Sequence, residues 1–290
     1  MSNYRIVTDS AADMSAAMVE ELGVTVLPLC FTMEEKTYED HPDRRAMPIE
    51  EFYRRLREGK MATTSAVNVA QYIDVLEPML QAGEDVLVLA FSSGLSTTYN
   101  SSAIAVAELR EKYPERKIFT VDTLCASLGQ GLLVWQAVAL QKAGKSLEEV
   151  RDWAEANKLK LCHWVAVDDL AHLKRGGRIS ATTAFVGGML NIKPIIHVDN
   201  EGHLINVGKV RGRSASLKYL VDEMGKRITD PQEQVIFISH SDCLEDAKVV
   251  GEEAKRRFGV KDVVYNHIGP VIGAHTGPGT VALFFMGTER

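Results

Sequence analysis

A chain of 290 residues with 46% hydrophobic and 25% charged side chains has ordinary globular composition, which excludes wholesale disorder and collagen-like repeats. Its formal net charge of −6 argues against a generally phosphate-seeking surface, and so against nucleic acid as a partner. The four cysteines, Cys30, Cys125, Cys162 and Cys243, form no CxxC pair and are too sparse for a disulfide scaffold, so buried free thiols in a reducing compartment are expected. The start, MSNYRIVTDSAAD, has no basic segment ahead of an apolar core, and no run of about 18 apolar residues occurs. The expectation is a cytoplasmic protein with no secretory signal and no stable membrane insertion.

In chain order, Tyr4 to Thr8 predicts a strand, followed by the turn and cap residues Asp9, Ser10 and Asp13. Residues 14 to 22 fit a short helix that Gly23 ends, and Val24 to Leu29 fits a second strand. Helical spacing of Ile49, Phe52, Tyr53 and Leu56 predicts a helix from Pro48 to Glu58. Val69 to Gln81 reads as another, despite Pro78. Asp85 to Phe91 is continuously apolar after its first residue, as a strand buried on both faces of a parallel sheet would be. A helix at Tyr99 to Lys112, a strand at Lys117 to Val121 and helices at Ser127 to Ala143 and Ser146 to Asn157 follow. Ser146-Leu147-Glu148-Glu149 is a capping-box pattern. Strands alternating with helices at these lengths argue for βαβ units and a mainly parallel sheet.

The texture changes near residue 160. Short β-like runs are separated by glycine-containing turns, and Asp199-Asn200-Glu201-Gly202 reads as a hairpin turn. A helix near Ser214 to Arg227, a buried strand at Gln234 to Ser239, a helix at Asp246 to Phe258 and the strand VVYNHI come next. The apolar run Val281 to Met286 is expected to close the sheet. The expected fold is α/β, with an N-terminal α/β domain over residues 1–160 and a second α/β domain over 161–290 that meet along a cleft-forming interface.

Four stretches could carry chemistry. Phe91 to Ser102, FSSGLSTTYNSS, joins the most apolar strand to an amphipathic helix, at the strand end where ligands bind in parallel sheets. Free N–H groups at a helix start favour a carboxylate or phosphate, and hydroxyls add donors; a Ser/Thr-rich cap without a ligand is the plainer reading. Within it, Gly94-Leu95-Ser96-Thr97-Thr98 also approximates a G-x-S-x-G nucleophile elbow, but Thr98 replaces the last glycine where the sharp turn tolerates no Cβ. Ala62 to Asn68, ATTSAVN, precedes a helix, and Thr63, Thr64 and Ser65 could be caps. Ile268 to Thr280, IGPVIGAHTGPGT, reads as a closely approached glycine-rich loop with His275 in its middle; it lacks the GxxxxGK[ST] of a P-loop. In Leu170 to Ser180, LAHLKRGGRIS, a Gly176-Gly177 turn is flanked by Lys174, Arg175 and Arg178. Arg211 and Arg213 form a second basic patch in KVRGR. Each patch suits either a solvated face or docking of a phosphate or acidic partner. The eight histidines show no metal-ligand spacing.

Taken together and in order, VTDSAAD, TTS, SSGLSTTYNSS, LKRGGRIS, NIKPII and HTGPG resemble the DegV family over nearly the whole chain. The resemblance implies a long-chain fatty acid, such as palmitate, in a tunnel between or beneath the two domains. It implies that Thr64 and Ser96 hold the carboxylate, with Ser65 as a neighbour and His275 as a further hydrogen-bonding group. It places Arg178, and Arg211 or Arg213, toward a partner fatty acid kinase or a phosphate. It implies no cofactor, no catalytic residue in this chain, and a role in presenting the carboxylate for acyl phosphate formation in bacterial lipid metabolism; a monomer is the default. The chain departs from the family pattern at TSAVN, which lacks the proline often found there, and at Thr97, where a glycine often follows GLS. The alternatives are a serine hydrolase of acyl esters acting through Ser96 and a lipid-sensing regulator without a kinase partner.

Overall fold

The computed structural model describes residues 4–168, 170–179 and 191–290. Ser180, the last residue of the LKRGGRIS motif, lies outside the described residues. The first half builds β1 (Tyr4–Asp9), α1 (Ala16–Leu22), β2 (Thr25–Leu27), β3 (Cys30–Met33), β4 (Lys36–Glu39), α2 (Ile49–Arg57), β5 (Ala62–Ser65), α3 (Val69–Gln81), β6 (Asp85–Ala90), α4 (Thr98–Lys112), β7 (Ile118–Asp122), α5 (Leu128–Lys142) and α6 (Leu147–Asn157). Strands β2, β1, β6 and β7 lie in that order in one sheet, and every neighbouring pair is parallel. The reason is legible in β6. Val86, Val88 and Ala90 pack with α3 and α4 on one face, while Leu87 and Leu89 pack with α5 and α6 on the other.

Three short strands form a second, antiparallel sheet in the order β4-β3-β5. The β3–β4 turn is Glu34-Glu35, both at positive φ, the backbone twist that suits a two-residue hairpin. This sheet corrects the expectation that Thr63, Thr64 and Ser65 are helix caps. They belong to β5, and Asn68 caps α3 in a reciprocal capping box with Gln71. The four apolar residues that predicted α2 are all buried against this sheet.

The second half contributes β8 (Leu161–Ala166), α7 (Ala171–Arg175), β9 (Ile192–Val198), β10 (Leu204–Arg211), α8 (Arg213–Arg227), β11 (Val235–His240), α9 (Leu244–Phe258), β12 (Asp262–His267), α10 (Pro270–Thr276) and β13 (Val281–Met286). Its sheet runs β10-β9-β8-β13-β11-β12, and only the β11–β12 pair is parallel. Strand β13 therefore does not close an edge. It sits centrally, antiparallel to both β8 and β11, which explains why Val281 to Phe285 are all buried. Residues 270–276 correct a second expectation: the glycine-rich stretch is a helix for about two turns, started by Pro270 at its first position.

Helix α5 joins the halves. Val134, Ala137 and Val138 pack on the parallel sheet. Leu128, Leu132 and Leu133 pack with Leu161, Phe237 and Phe284 of the other half. A helix apolar on all sides is one buried on all sides. All four cysteines are free thiols; Cys125 and Cys162 are buried, whereas Cys30 and Cys243 are only partly so. Among the described residues no helix is long and apolar enough to cross a membrane.

Candidate functional site

A cavity of about 470 Å³ opens between the halves. Phe91, Val165, Ile196, Ile268, Val271 and Phe284 supply apolar wall from both sides of residue 160. The volume falls in the range of small-ligand sites.

The loop after β6 forms one edge of this cavity. The backbone N–H of Phe91 donates to the buried Asp9 carboxylate at 2.8 Å. Burial raises the Asp9 carboxyl to about 6, against the opposing effect of that bond. Ser92 Oγ donates to the Gly202 carbonyl in the β9–β10 turn at 2.9 Å. Gly94 stacks on the same turn so closely that a Cβ there would lie 2.7–2.8 Å from Gly202 C and Glu201 O, so glycine is required. These contacts fix where Ser96 sits. Its hydroxyl accepts from the Thr98 N–H at 3.2 Å and pairs with Thr98 Oγ1 at 2.9 Å. Ser96 thus satisfies a free N–H at the start of α4 and lines the cavity as well.

Thr64 approaches from β5. The strand's alternation turns Thr63 and Ser65 outward and Thr64 inward. Its Oγ1 lies 2.8 Å from His275 Nε2 on α10. Burial foremost, with the Arg178 guanidinium and the His172 ring nearby, pushes the imidazole down to about 4, so it is neutral near pH 7. A neutral imidazole has one donor and one acceptor nitrogen, and the Thr64 hydroxyl can meet either. Arg178 completes the polar end. Its Nε donates to the Leu95 carbonyl at 3.2 Å, next to Ser96, and its Nη1 to the Gly176 carbonyl at 2.6 Å.

Thr64, Ser65, Ser96, Arg178 and His275 all line this one cavity, Ser65 with an exposed side chain. Arg211 and Arg213 do not line it. Arg211 is exposed at the end of β10, and Arg213 begins α8, where it pairs with Asp246 at 2.8 Å. Among the described residues Ser96 makes no bond to a histidine.

Two polar lining residues escaped the sequence reading. Ser127 holds φ 53° and ψ −148°, a conformation nearly confined to glycine. Its hydroxyl donates to the buried Asp13 carboxylate at 2.6 Å and meets Ser239 Oγ at 2.9 Å. Burial raises Asp13 to about 7, although Arg44 and Ser127 oppose the shift. His163 accepts from the Ala126 N–H at Nε2, 3.3 Å away, and faces the Leu161 carbonyl through Nδ1 at 3.2 Å. Burial, foremost, holds it well below the usual histidine range. A single serine before a helix and a histidine inside an apolar strand carry no sequence signal of this.

The fold and site define a two-part α/β protein with a cavity between its halves whose lining combines apolar side chains with hydroxyls, imidazoles and a guanidinium. The chain belongs to the DegV family: the family model, described as an uncharacterised protein of that family, matches residues 3–288. A DegV domain-containing protein of Clostridium perfringens is 50% identical over 290 residues, covering 100% of this chain and 99% of the relative. Among solved structures, a fatty-acid-binding DegV family protein from Thermus thermophilus has 30% identity and a TM-score of 0.87, covering 97% of this chain and 98% of that one. A stearic-acid-binding protein from Eubacterium ventriosum has 26% identity and a TM-score of 0.86, covering 97% of each chain.

Proposed function

We propose that this protein binds a long-chain fatty acid in the cavity between its halves, with the carboxylate at the polar end and the acyl chain along the apolar walls. The observation that carries the reading is the convergence of Thr64, Ser96, Arg178 and His275 on one cavity whose walls include Phe91, Val165, Ile196, Val271 and Phe284. Two hydroxyls donate to a carboxylate without a buried lysine or arginine salt bridge, and Arg178 supplies compensating charge nearby. Burying a chain of about fourteen methylenes contributes on the order of 11 kcal/mol before association costs, at about 0.8 kcal/mol each. The fatty-acid-binding relatives from Thermus thermophilus and Eubacterium ventriosum support the same ligand class.

The finer reading is that the chain acts as a carrier without chemistry of its own. It presents the bound carboxylate to a separate kinase, which transfers the γ-phosphoryl group of ATP to a carboxylate oxygen and releases ADP. Arg178, Arg211 and Arg213 are the residues assigned to that partner or its phosphate. Pairing of Ser96 with Thr98, and of His275 with Thr64, favours binding over the serine-hydrolase reading, which needs a base on Ser96.

Denaturing the purified protein and identifying the released lipid by mass spectrometry tests the ligand. A stoichiometric long-chain fatty acid is expected. An empty extract, repeated after incubation with mixed fatty acids, returns the function to the hydrolase and sensor readings. The carrier role is tested by adding the loaded protein to fatty acid kinases with ATP. Acyl phosphate is expected, and tight lipid binding without any acyl phosphate favours a sensor.

A further inference from the structure

Ser127 places a hydroxyl on the cavity wall away from Thr64, Ser96, Arg178 and His275, and the sheet pairing fixes its depth. Its Oγ meets Ser239 Oγ of β11 at 2.9 Å. Ser239 pairs with Ala282 of β13, Ala282 with Val165 of β8, and Val165 with Ile196 of β9, so Ser127 stands over one row that crosses the sheet. Ala282, Val165 and Ile196 line the cavity. Two residues past Val165, Val167 also lines it, and the chain there leads to α7 and Arg178. Two residues the other way is the paired row of His163 and Phe284. Each such step along a strand covers roughly 6–7 Å. Ser127 therefore lies along the interior of the cavity, between the carboxylate-binding group and the His163 row.

The hydrogen bonds around Ser127 leave one acceptor position uncommitted. A hydroxyl has one proton and two lone pairs. The Ser127 proton goes to the Asp13 carboxylate at 2.6 Å, so in the contact with Ser239 the proton comes from Ser239. One lone pair of Ser127 Oγ remains, on a residue that lines the cavity. The other polar groups of this wall are spent. His163 accepts from the Ala126 N–H and meets the Leu161 carbonyl, and its Nε2 is pressed against Gly129, where a Cβ would lie 2.3 Å away. Thr276 and Thr280 donate to backbone carbonyls of α10 and the turn after it. Ser127 is also fixed in place. Its φ of 53° is a conformation that persists only where the surroundings hold it, and such residues concentrate at ligand sites. Its partner Asp13 is itself held by the Gly269 N–H at 2.8 Å.

We propose that Ser127 is a specificity residue for acyl chains that carry a hydroxyl in their interior, and that its Oγ accepts a hydrogen bond from that hydroxyl while Thr64, Ser96 and His275 hold the carboxylate. The inference rests on the fatty-acid reading and names a substrate class for the same cavity. A hydroxyl buried against apolar walls without a partner is costly, so the chain is accepted where its hydroxyl reaches Ser127 and rejected where it does not. A ketone at the same carbon brings no proton, and the Ser127 proton is committed to Asp13, so the keto acid is rejected too.

The full-length protein and its Ser127→Gly and Ser239→Ala variants are titrated by calorimetry at pH 8, where Asp13, raised by burial to about 7, is ionised. The ligands are stearate, its 6-, 8-, 10-, 12- and 18-hydroxy derivatives, and the keto acid matching the best-bound of these. The readout is each affinity divided by that for stearate, so a general loss from an altered loop cancels. One interior hydroxy acid is expected to exceed the 18-hydroxy acid and its own keto partner about tenfold. Glycine suits the positive φ and removes the hydroxyl, so in Ser127→Gly this preference is expected to disappear. Ser239→Ala leaves the Ser127 hydroxyl in place and is expected to retain it. A flat hydroxy profile with stearate bound overturns the inference and spares the fatty-acid reading. So does a preference that survives Ser127→Gly, that Ser239→Ala abolishes, or that the keto acid shares. If neither stearate nor any derivative binds, the fatty-acid reading falls and this inference with it.

Discussion

Ser92 Oγ donates a 2.9 Å hydrogen bond to the carbonyl oxygen of Gly202, and through it the loop bearing Ser96 is fastened to the opposite half of the molecule. The donor follows a strand of the parallel sheet, and the acceptor sits in the turn between two antiparallel strands. Gly94 rests on the same turn, and Gly202 holds φ +80° against Leu124. The polar edge of the cavity that carries Ser96 is therefore assembled by contacts between halves and belongs to neither alone.

The first prediction tests this fastening. Gly94→Ala introduces a Cβ within 2.7 Å of Gly202 C, backbone that has no free rotation with which to yield. The variant is expected to lose about 1–3 kcal/mol of stability, as over-packed sites do. It should also lose affinity for palmitate more than for hexadecanol, because the displaced Ser96 contacts only the head group. Paired lipid titrations against a denaturant melt check it. Equal losses for acid and alcohol would contradict a positioning role for the loop.

The second concerns the carboxylate donors. Ser96→Ala and Thr64→Val each remove one hydroxyl from the polar end. A hydrogen bond to a charged group is worth about 1.5–3 kcal/mol, so each variant is expected to bind palmitate roughly tenfold to a hundredfold more weakly. Ser96→Ala also leaves the Thr98 N–H without its acceptor, which lowers stability by about 1 kcal/mol. A palmitate titration showing unchanged affinity in both variants would remove them from the site.

The Ser96 hydroxyl stood out in the sequence because it lies in a cluster between a continuous apolar strand and a helix, whereas Thr64 was singled out only through the family resemblance. The parallel sheet was legible for a related reason: β6 is buried on both faces and so reads as one unbroken apolar run. The small sheet was not. KTYE and ATTS are four residues each, polar on one face, and held by pairing with β3, which no local pattern reveals. The central place of β13 depends on strand order, which a single apolar run does not encode. The cavity walls were equally hidden. Val165, Ile196 and Phe284 are ordinary strand residues until the fold brings them together with Val271 of α10. Helix α10 itself was obscured by its glycines, although Pro270 at its first turn was a visible start signal.

The third prediction is a pair of opposite pH dependences. His275 is depressed to about 4 in the folded state, below the ordinary value of 6.5. Its neutral form contributes stability above 6.5, and that contribution is lost as pH falls toward 4. Relative to His275→Gln, the unmodified protein should lose about 2 kcal/mol between pH 7.5 and pH 5. Asp13 runs the other way, raised from 3.8 to about 7 by burial. Its contribution is fully present below 3.8 and is lost as pH rises through 7, so the unmodified protein should lose stability relative to Asp13→Asn over that range. Urea melts at three pH values measure both slopes, and parallel slopes for a variant and the unmodified protein would refute that assignment.

The fourth prediction reads the cavity's apolar wall. Val165 lies in the middle of β8, paired with Ile196 of β9 and Ala282 of β13, and all three line the cavity. Its side chain is largely buried at 8% exposure, yet part of what it faces is the chamber itself. Val165→Phe can therefore grow into empty volume and need not collide with packed neighbours, so the change in stability is expected to stay under about 1.5 kcal/mol. The added ring occupies space that an acyl chain would fill. Affinity should fall for long chains and fall less for short ones, moving the preferred fatty acid to a shorter length. Titration of saturated acids from ten to eighteen carbons gives the profile. A uniform loss across all lengths would mean that Val165 lies beside the head group, and an unchanged profile would mean that the chain does not pass along β8.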